Sequence, residues 1–297
     1  MKKIFAINPG STSTKIAFFE GEIKVFQDEI QHPREELSAF TEVNDQLDYR
    51  LNSILDRMSN APRKLSEADI FVGRCGGLVP LHGGTYPITE LLLQHAQVCM
   101  SIKHPACLGP QLCNELQKRY GGDMYVVNPE DTDEFDDIAR VTGVKGKYRQ
   151  SCLHILNQKE TAISYAAEQQ KAYSDVRVVV VHMGGGISVA AHCNGRIIDA
   201  SDAVQGDGPM APTRCGRLSV NAAWSLYEDE HLNDAQRAEL VLKNGGLINH
   251  LGTADGREIV RRIRAGDNYA NLNFFNICIN TVVNKSKGCA SAVNFHR

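Results

Sequence analysis

Two short loops rich in glycine, serine and threonine carry the clearest chemical signal in this sequence. Each follows an apolar run, one at Gly10 and the other at Gly184, and the next tight turn comes 11 residues later, at Gly21 and Gly195. Backbone N–H groups of such turns can point into one concavity, where they and neighbouring hydroxyls suit phosphate oxygens. The equal spacing indicates one motif occurring twice, which favours a nucleotide clamped between two related domains. The residues expected to contact phosphate are Ser11, Thr12, Gly184, Gly185 and Gly186.

Three cationic side chains lie within or beside loops of this kind. Lys15 follows the first loop, Arg74 lies among glycines at residues 73–77, and Arg214 lies at residues 212–216. A guanidinium fork matches planar oxyanions, so both arginines are candidate clamps for carboxylate or phosphoryl groups. The alternatives are a salt bridge for either arginine and a solvent-facing strand position for Lys15.

The elements that must position these residues alternate along the chain. Apolar alternation and tight turns predict a strand triplet at the start of each half, the second over residues 176–201. Apolar residues at three- and four-residue steps predict one long helix from Pro33 to Met58. Further strands are predicted at residues 69–72 and 124–127, and a further helix at residues 150–173.

The alternation of strands and helices predicts an α/β fold. The antiparallel triplets make the predicted sheets mixed rather than purely parallel. We place the domain boundary near residue 150, which gives an N-terminal domain of residues 1–150 and a second domain of residues 151–297.

Composition narrows the class of protein. The net charge of −3 gives no electrostatic case for nucleic-acid binding. The sequence also contains no run of 18 apolar residues, so it predicts no membrane span. The first residues lack the features of a secretion signal. The nine cysteines include no Cys-x-x-Cys pair. We therefore expect free thiols and a reducing, cytoplasmic location.

Four stretches of this sequence resemble motifs of one known protein family. Residues 7–15 closely resemble the opening signature of the acetate and butyrate kinases, which belong to the superfamily of sugar kinases, heat-shock chaperones and actin. Residues 73–77, 182–188 and 206–216 are similar to further motifs of that family, in the same order. Pro9, Met183 and residues 251–258 favour the butyrate branch.

The resemblance implies two ribonuclease H-like (actin-like ATPase) domains related by internal duplication, with the active-site cleft between them. It also implies ATP-dependent phosphorylation of a short-chain fatty acid, butyrate first, in the presence of Mg²⁺. Acetate, propionate or a branched acid is the alternative acceptor. The family usually assembles from identical subunits, so we expect a homo-oligomer.

The resemblance also gives roles to individual residues. Arg74 would bind the substrate carboxylate, Arg214 and His154 the transferring phosphoryl group, and His104 would line the acid pocket. Asn8 and Asn128 would hold or orient Mg²⁺. For the histidines a purely structural role is the alternative. The remaining nucleotide contacts would come from Lys15, His182, Asp255 and Arg257, although Arg257 could equally belong to a solvated helix face with Arg261 and Arg262.

Elementary electrostatics agrees with such roles. A carboxylate is ionised at pH 7, so the reaction needs no general base. It requires two anions close together, and two unit charges 4 Å apart repel by about 4 kcal/mol at an effective dielectric constant near 20. Cationic clamps and hydrogen-bond donors must offset that repulsion.

The sequence departs from the family pattern in two places. Asn128 stands at a strand end where acetate kinases carry an aspartate. Either Asp131 or Asp133 could supply the missing charge, or this branch of the family could work without it. The chain also ends before a Thr-Gly-Gly adenine loop and a late glutamate, so we expect a shortened nucleotide-binding domain. A non-catalytic remnant of such a kinase is the alternative from another class of protein.

Overall fold

The computed structural model describes residues 1–101, 103–203 and 207–291. The chain divides into two compact units between Thr132 and Asp133. The boundary expected from the sequence, near residue 150, lies inside unit 2, because Phe135 and Ala139 pack with the buried residues Ile155 and Ala190.

Unit 1 is built on a six-stranded mixed sheet. The predicted strand triplet forms its β3-β2-β1 part, and β1 pairs in parallel with β4, which pairs in parallel with β6. A short antiparallel strand, β5, closes the order β3-β2-β1-β4-β6-β5. The strands are β1 (Lys3–Pro9), β2 (Ser13–Glu20), β3 (Ile23–Gln31), β4 (Ile70–Gly73), β5 (Thr85–Pro87) and β6 (Asp123–Val127).

Four helices accompany this sheet, and their apolar faces share one core with it. Phe5, Phe18 and Phe71 lie at the centre of that core. The helices are α1 (Arg34–Leu37), α2 (Leu47–Ser59), α3 (Glu90–Val98) and α4 (Leu108–Tyr120).

The prediction of one long helix from Pro33 to Met58 is wrong. Two helices, α1 and α2, are separated by an extended residue, Glu42, and a 3₁₀ turn. The backbone N–H of Glu42 donates to Asp45 Oδ2 at 2.9 Å. This local side-chain bond begins a new helical segment, because it satisfies a donor that a continuous helix would use otherwise.

Unit 2 opens with the second predicted strand triplet, which the structure confirms. The strands are β7 (Arg177–Met183), β8 (Ile187–Cys193) and β9 (Arg196–Ala200). Both pairings are antiparallel. Within the described residues, the parallel pairs that make a sheet mixed therefore occur in unit 1 alone.

Seven helices complete the described part of unit 2. Helix α6 is shorter than the predicted segment of residues 150–173. The core under β8 is formed by Ile187 and Val189 with Leu247, Ile259 and Ala270. The helices are α5 (Asp137–Arg140), α6 (Ile155–Glu168), α7 (Val220–Glu228), α8 (Asp234–Leu242), α9 (Leu247–Leu251), α10 (Gly256–Arg264) and α11 (Asn268–Ser291). Across the described residues, none of the helices combines the length and apolar character that a membrane crossing requires.

Candidate active site

Arg74 is placed by an unusually close approach of a strand and a helix. It directly follows β4, and its N–H donates to the Ile7 carbonyl at 2.8 Å, which extends the parallel pairing by one residue. A Cβ atom on Gly73 would collide with the backbone of Gly109 in α4, and one on Gly109 would collide with the Arg74 carbonyl. Both glycines are therefore needed to seat the Arg74 backbone against α4.

The Arg74 side chain is already engaged on both sides. Its Nη1 donates to Asn8 Oδ1 at 3.2 Å, and its Nη2 forms an ion pair with Glu130. The second oxygen of that carboxylate, Glu130 Oε2, lies 3.7 Å from His104 Nδ1. The structure thus brings together three predicted site residues of unit 1, Asn8, Arg74 and His104. Glu130, which links Arg74 to His104, was not among the predicted residues.

A signal for Glu130 does exist in the sequence. It follows β6 by three residues, and Asn8 and Arg74 lie at or just beyond the ends of β1 and β4. Because these three strands are parallel neighbours, their carboxyl ends share one edge, where ligands of open α/β sheets usually bind.

The first loop forms a tight turn between β1 and β2. Gly10 N donates to the Ser13 carbonyl at 2.7 Å, and Ser11 and Thr12 are exposed. Lys15 is also exposed, and its Nζ lies 4.0 Å from Glu29 Oε2 on the neighbouring strand. The structure therefore leaves Lys15 in the solvent-facing strand position that was its alternative interpretation.

A buried arginine supports this loop from within unit 1. Arg50 is fully buried, and its Nη1 donates to Thr14 Oγ1 at 2.9 Å and to the Ser13 carbonyl at 3.3 Å. Its Nη2 has no hydrogen-bond partner among the described residues. Burial lowers the pKa of Arg50 to about 10, so the group still carries a positive charge at pH 7. The sequence signal was a charged residue on the apolar face of α2, beside Leu51 and Ile54.

The two asparagines predicted to hold or orient Mg²⁺ each accept a hydrogen bond through the side-chain oxygen. Asn8 Oδ1 accepts from Arg74, and Asn128 Oδ1 accepts from Gly84 N at 2.9 Å. No cluster of three His, Cys, Asp or Glu side chains suited to a metal occurs in the described part of the chain. Mg²⁺ prefers carboxylate and phosphate oxygens, and the role of the two asparagines toward the metal stays a prediction.

The two aspartates considered as replacements for the missing charge have structural partners. Asp131 Oδ2 accepts from Leu78 N at 2.9 Å, its Oδ1 accepts from Ser101, and burial raises its pKa. Asp133 forms a two-pronged ion pair with Arg140, at 2.6 and 2.8 Å. These contacts give no support to the idea that Asp131 or Asp133 replaces the negative charge missing at Asn128.

The second loop and Arg214 form one tight assembly in unit 2. Thr213 N and Oγ1 both donate to the Gly185 carbonyl, at 3.2 and 2.9 Å. The guanidinium of Arg214 packs directly against Gly186, where a Cβ atom would collide with it. Arg214 Nη1 also donates to the Ala203 carbonyl. Burial lowers the pKa of Arg214, yet the group remains a cation at neutral pH.

His154 and His182 are stacked on each other beside this loop. Their ring centroids are 3.8 Å apart and the planes differ by 15°. His182 Nδ1 is 2.9 Å from Asn157 Oδ1, and His154 Nδ1 is 3.0 Å from Ser188 Oγ. Burial, and secondly the charge of Arg214, lower the pKa of His182. The structure thus joins His154, His182 and Arg214, all three predicted, in one cluster.

Asp255 and Arg257 contact each other at the start of α10. Asp255 caps the helix by accepting from Arg257 N at 2.9 Å, and it also accepts from Arg257 Nε at 3.2 Å. The side chain of Arg257 is 92% exposed. The described contacts of this pair are therefore those of a helix cap, and their role in nucleotide binding stays a prediction.

Comparisons with known proteins agree with these motifs. The family model of the acetokinase family matches residues 154–289. Butyrate kinase 2 of Clostridium acetobutylicum is 34% identical over 291 residues, which cover 98% of this chain and 81% of that protein. The chain belongs to the acetokinase family. Another member, a probable butyrate kinase of Oleidesulfovibrio alaskensis, is 38% identical over 274 residues, covering 91% of this chain and 74% of that one.

Solved structures of acetokinase relatives confirm the fold class. The acetate kinase of Porphyromonas gingivalis superposes with a TM-score of 0.75 at 18% identity, covering 98% of this chain and 80% of that chain. A propionate kinase of Francisella tularensis gives a TM-score of 0.76 at 16% identity, covering 98% and 81%. The predicted α/β fold of two ribonuclease H-like domains is therefore confirmed, and the prediction of a phosphotransferase is confirmed at the level of the acetokinase family.

Proposed function

We propose that this acetokinase transfers the γ-phosphoryl group of ATP to the carboxylate of a short-chain fatty acid, with butyrate as the first candidate. Membership of the family supports a kinase, and the names of the curated relatives support butyrate. The structural observation that carries the proposal is the cluster of Arg214, His154 and His182 against the glycine loop of residues 184–186. Such a group of donors suits a phosphoryl group with charge on its equatorial oxygens.

In this proposal the named side chains supply different parts of the chemistry. Arg74 binds the acceptor carboxylate. Its described contacts to Asn8 and Glu130 use two of the five N–H groups of a guanidinium, so donors remain for a substrate. In unit 2, Arg214 neutralises charge on the transferring group and His154 donates a hydrogen bond to it. The acceptor is already ionised, so no residue acts as a base.

Mg²⁺ enters the proposal as a companion of the triphosphate. Mg²⁺ usually keeps several waters and binds through substrate phosphates and one or two carboxylates. Asn8, exposed at the end of β1, is the described residue that could orient such a water. Free thiols at the eight cysteines whose side chains the structure describes fit the proposed cytoplasmic location. A homo-oligomer stays part of the proposal by analogy with the family.

The test is an acyl-phosphate assay with ATP, Mg²⁺ and butyrate, in which hydroxylamine traps the product. We expect turnover, and a loss of at least 100-fold in kcat/KM for Arg74→Gln and for Arg214→Gln, because each removes a charge from a desolvated anion site. Arg119→Gln in unit 1 and Arg264→Gln in unit 2 change exposed arginines and are the matched controls. No turnover by protein that is folded by circular dichroism would refute the proposal and favour the non-catalytic alternative.

The acceptor is identified by comparing acids of different length. A pocket distinguishes one methylene by about 1–3 kcal/mol, or roughly 10- to 200-fold. If kcat/KM is highest for acetate, propionate or a branched acid, the acceptor in this proposal changes while the reaction class stays.

A further inference from the structure

A line of hydrogen-bonded side chains runs through the interior of unit 2 and ends at His154. It begins at Tyr173 and continues through His192, Gln158 and Ser188. Gln158 and Ser188 are fully buried and His192 is 2% exposed. Polar groups at such depth need defined partners, so the direction of each hydrogen bond can be worked out.

The carbonyl of Ser188 fixes the orientation of the Gln158 amide. Gln158 Nε2 lies 3.1 Å from Ser188 O, and a carbonyl oxygen only accepts. The nitrogen of the amide therefore faces β8, and its second proton is donated to Ser188 Oγ at 3.0 Å. Gln158 Oε1, on the other side of the amide, must be an acceptor.

The far end of the line is oriented in the same way. His192 Nε2 lies 3.3 Å from Gln158 Oε1, so this nitrogen carries the proton and donates it. Nδ1 of the same ring then accepts from the Tyr173 hydroxyl at 2.8 Å. Burial, and next the charge of Lys159, lower the pKa of His192 to about 4, so the ring is neutral at pH 7 and can both donate and accept.

At the near end, the proton of the Ser188 hydroxyl remains to be placed. Its oxygen accepts from Gln158 Nε2, which is a donor and cannot receive the hydroxyl proton. Within the described part of the chain, the acceptor within reach is His154 Nδ1, at 3.0 Å. If His154 donated from Nδ1 instead, the buried hydroxyl proton would lose this acceptor, which is costly in a protein interior.

We propose that Ser188 and Gln158 are positioning residues that hold His154 as the neutral tautomer protonated at Nε2, with Tyr173 and His192 fixing the direction of the line. This role rests on the proposed function, in which Nε2–H of His154 donates to a phosphoryl oxygen. The nitrogen that carries the proton is set by the bond that the other nitrogen makes. The ring contact with His182 restrains the plane of the imidazole at the same time.

The tautomer is read directly by NMR of the intact protein labelled with ¹⁵N-histidine, without substrate. Assignment uses the loss of the His154 signals in His154→Gln. We expect His154 to show a protonated Nε2 and an unprotonated Nδ1. In Ser188→Ala the two nitrogens should move toward exchange-averaged shifts, because Nδ1 has lost its donor. Tyr173→Phe, a milder change that keeps the ring, should move them in the same direction by a smaller amount.

Ser201→Ala is the matched control. Ser201 is also a buried serine in unit 2, and its hydroxyl oxygen accepts from Val189 N at 3.0 Å. We expect the His154 signals in this variant to match the unaltered protein. In turnover assays, Ser188→Ala should lower kcat by about tenfold, with both KM values within about twofold, because a misdirected donor affects the transferring group rather than substrate binding.

The outcomes separate this inference from the proposed function. A proton on Nδ1 of His154 in the unaltered protein, or signals unchanged by Ser188→Ala, would overturn the inference even if the protein phosphorylates butyrate. The expected tautomer and its loss in Ser188→Ala would support the placement of the proton even if no acid is phosphorylated. An equal loss of kcat in Ser201→Ala would assign the kinetic effect to packing and count against the positioning role.

Discussion

Glu130 shows how a single carboxylate can set the properties of a candidate binding group. It forms an ion pair with the same Arg74 guanidinium that we assign to the substrate carboxylate, and it lies close to His104. A Cβ atom on Gly76 would lie 2.9 Å from Glu130 Oε2, so the backbone leaves little room for that carboxylate to move aside. An incoming acid must therefore share Arg74 with a charged neighbour.

Replacing Glu130 by glutamine should strengthen binding of the acid. Glu130→Gln keeps the size and an amide oxygen for Arg74, but removes the competing charge. Hydrogen bonds to charged groups are worth about 1 kcal/mol more than neutral ones, so we expect the KM for butyrate to fall about fivefold. Initial rates over a range of butyrate concentrations measure this. Glu115→Gln, which alters an ion pair with Lys118 on α4, is the control. An unchanged or higher KM would contradict the argument.

At this scale the sequence identifies the residues that lie in local motifs and misses those that depend on distant partners. Arg74, His154 and Arg214 stand in recognisable stretches, and the structure gives each a polar site. Glu130 gains its meaning only from Arg74, 56 residues away, and Ser188 from His154, 34 residues away. Such pairs follow from strand order and helix packing, which short-range patterns do not encode.

Among the elements, the turn between β7 and β8 is closely constrained by a side chain. Gly186 ends this turn, and the guanidinium of Arg214 occupies the space of its missing side chain. Gly186→Ala should displace Arg214, at a cost of about 1–3 kcal/mol in stability, and lower kcat/KM by at least 100-fold. Gly143→Ala is the control, because nothing lies within 4 Å of a Cβ atom there. Full activity of Gly186→Ala would show that Arg214 is not needed in this position.

A buried ion pair ties α6 to β9. Lys159 Nζ lies 2.6 Å from Glu134 Oε1, both side chains are less than 10% exposed, and Glu134 Oε2 accepts from Ile197 N at 2.9 Å. Glu134→Gln should lower the free energy of unfolding by about 3–5 kcal/mol, because it leaves the Lys159 charge buried without its partner. Asp136→Asn breaks an exposed pair with Arg196 and should cost less than about 1 kcal/mol. Urea unfolding compares the two, and equal costs would contradict the prediction.

The elements themselves were predictable to different degrees. Both strand triplets follow from alternation and turn residues, which act over a few positions. The helix expected from Pro33 to Met58 is interrupted because the bond between Glu42 and Asp45 competes with helical periodicity. Apolar spacing continues across that break, so periodicity alone could not reveal it.

For the molecule as a whole, the two units share one source of acid sensitivity, a buried neutral histidine in each. His32 in unit 1 lies between Thr14 Oγ1 and the Tyr49 hydroxyl, at 2.8 and 3.2 Å. Burial, and then the charge of Arg50, lower the pKa of His32 to about 4. In unit 2 the pKa of His192 is lowered to a similar value by burial and Lys159. Protonation of either ring would place a charge next to an existing buried cation.

These two histidines fix the direction in which stability depends on pH. Their pKa values in the folded protein lie below the ordinary value of 6.5, so the unfolded chain binds more protons below that pH. The stability that they contribute is present above pH 6.5 and is lost as the pH falls toward 4. We expect the free energy of unfolding, measured with urea between pH 7 and pH 4, to fall over this window by about 1.4 kcal/mol for each unit of pKa lowering.

Variants decide whether the histidines cause this slope. His32→Gln and His192→Gln remove the titrating groups, so each should flatten the pH dependence even where it lowers stability at pH 7. The double variant should be the flattest, since the two sites lie in separate units and should act independently. His231→Gln, at an exposed position, should keep the full slope. Carboxylates with lowered pKa values, such as Glu29 beside Ser13 and Asp267 beside Ala270, affect stability at lower pH. If the double variant loses as much stability between pH 7 and pH 4 as the unaltered protein, other groups cause the loss.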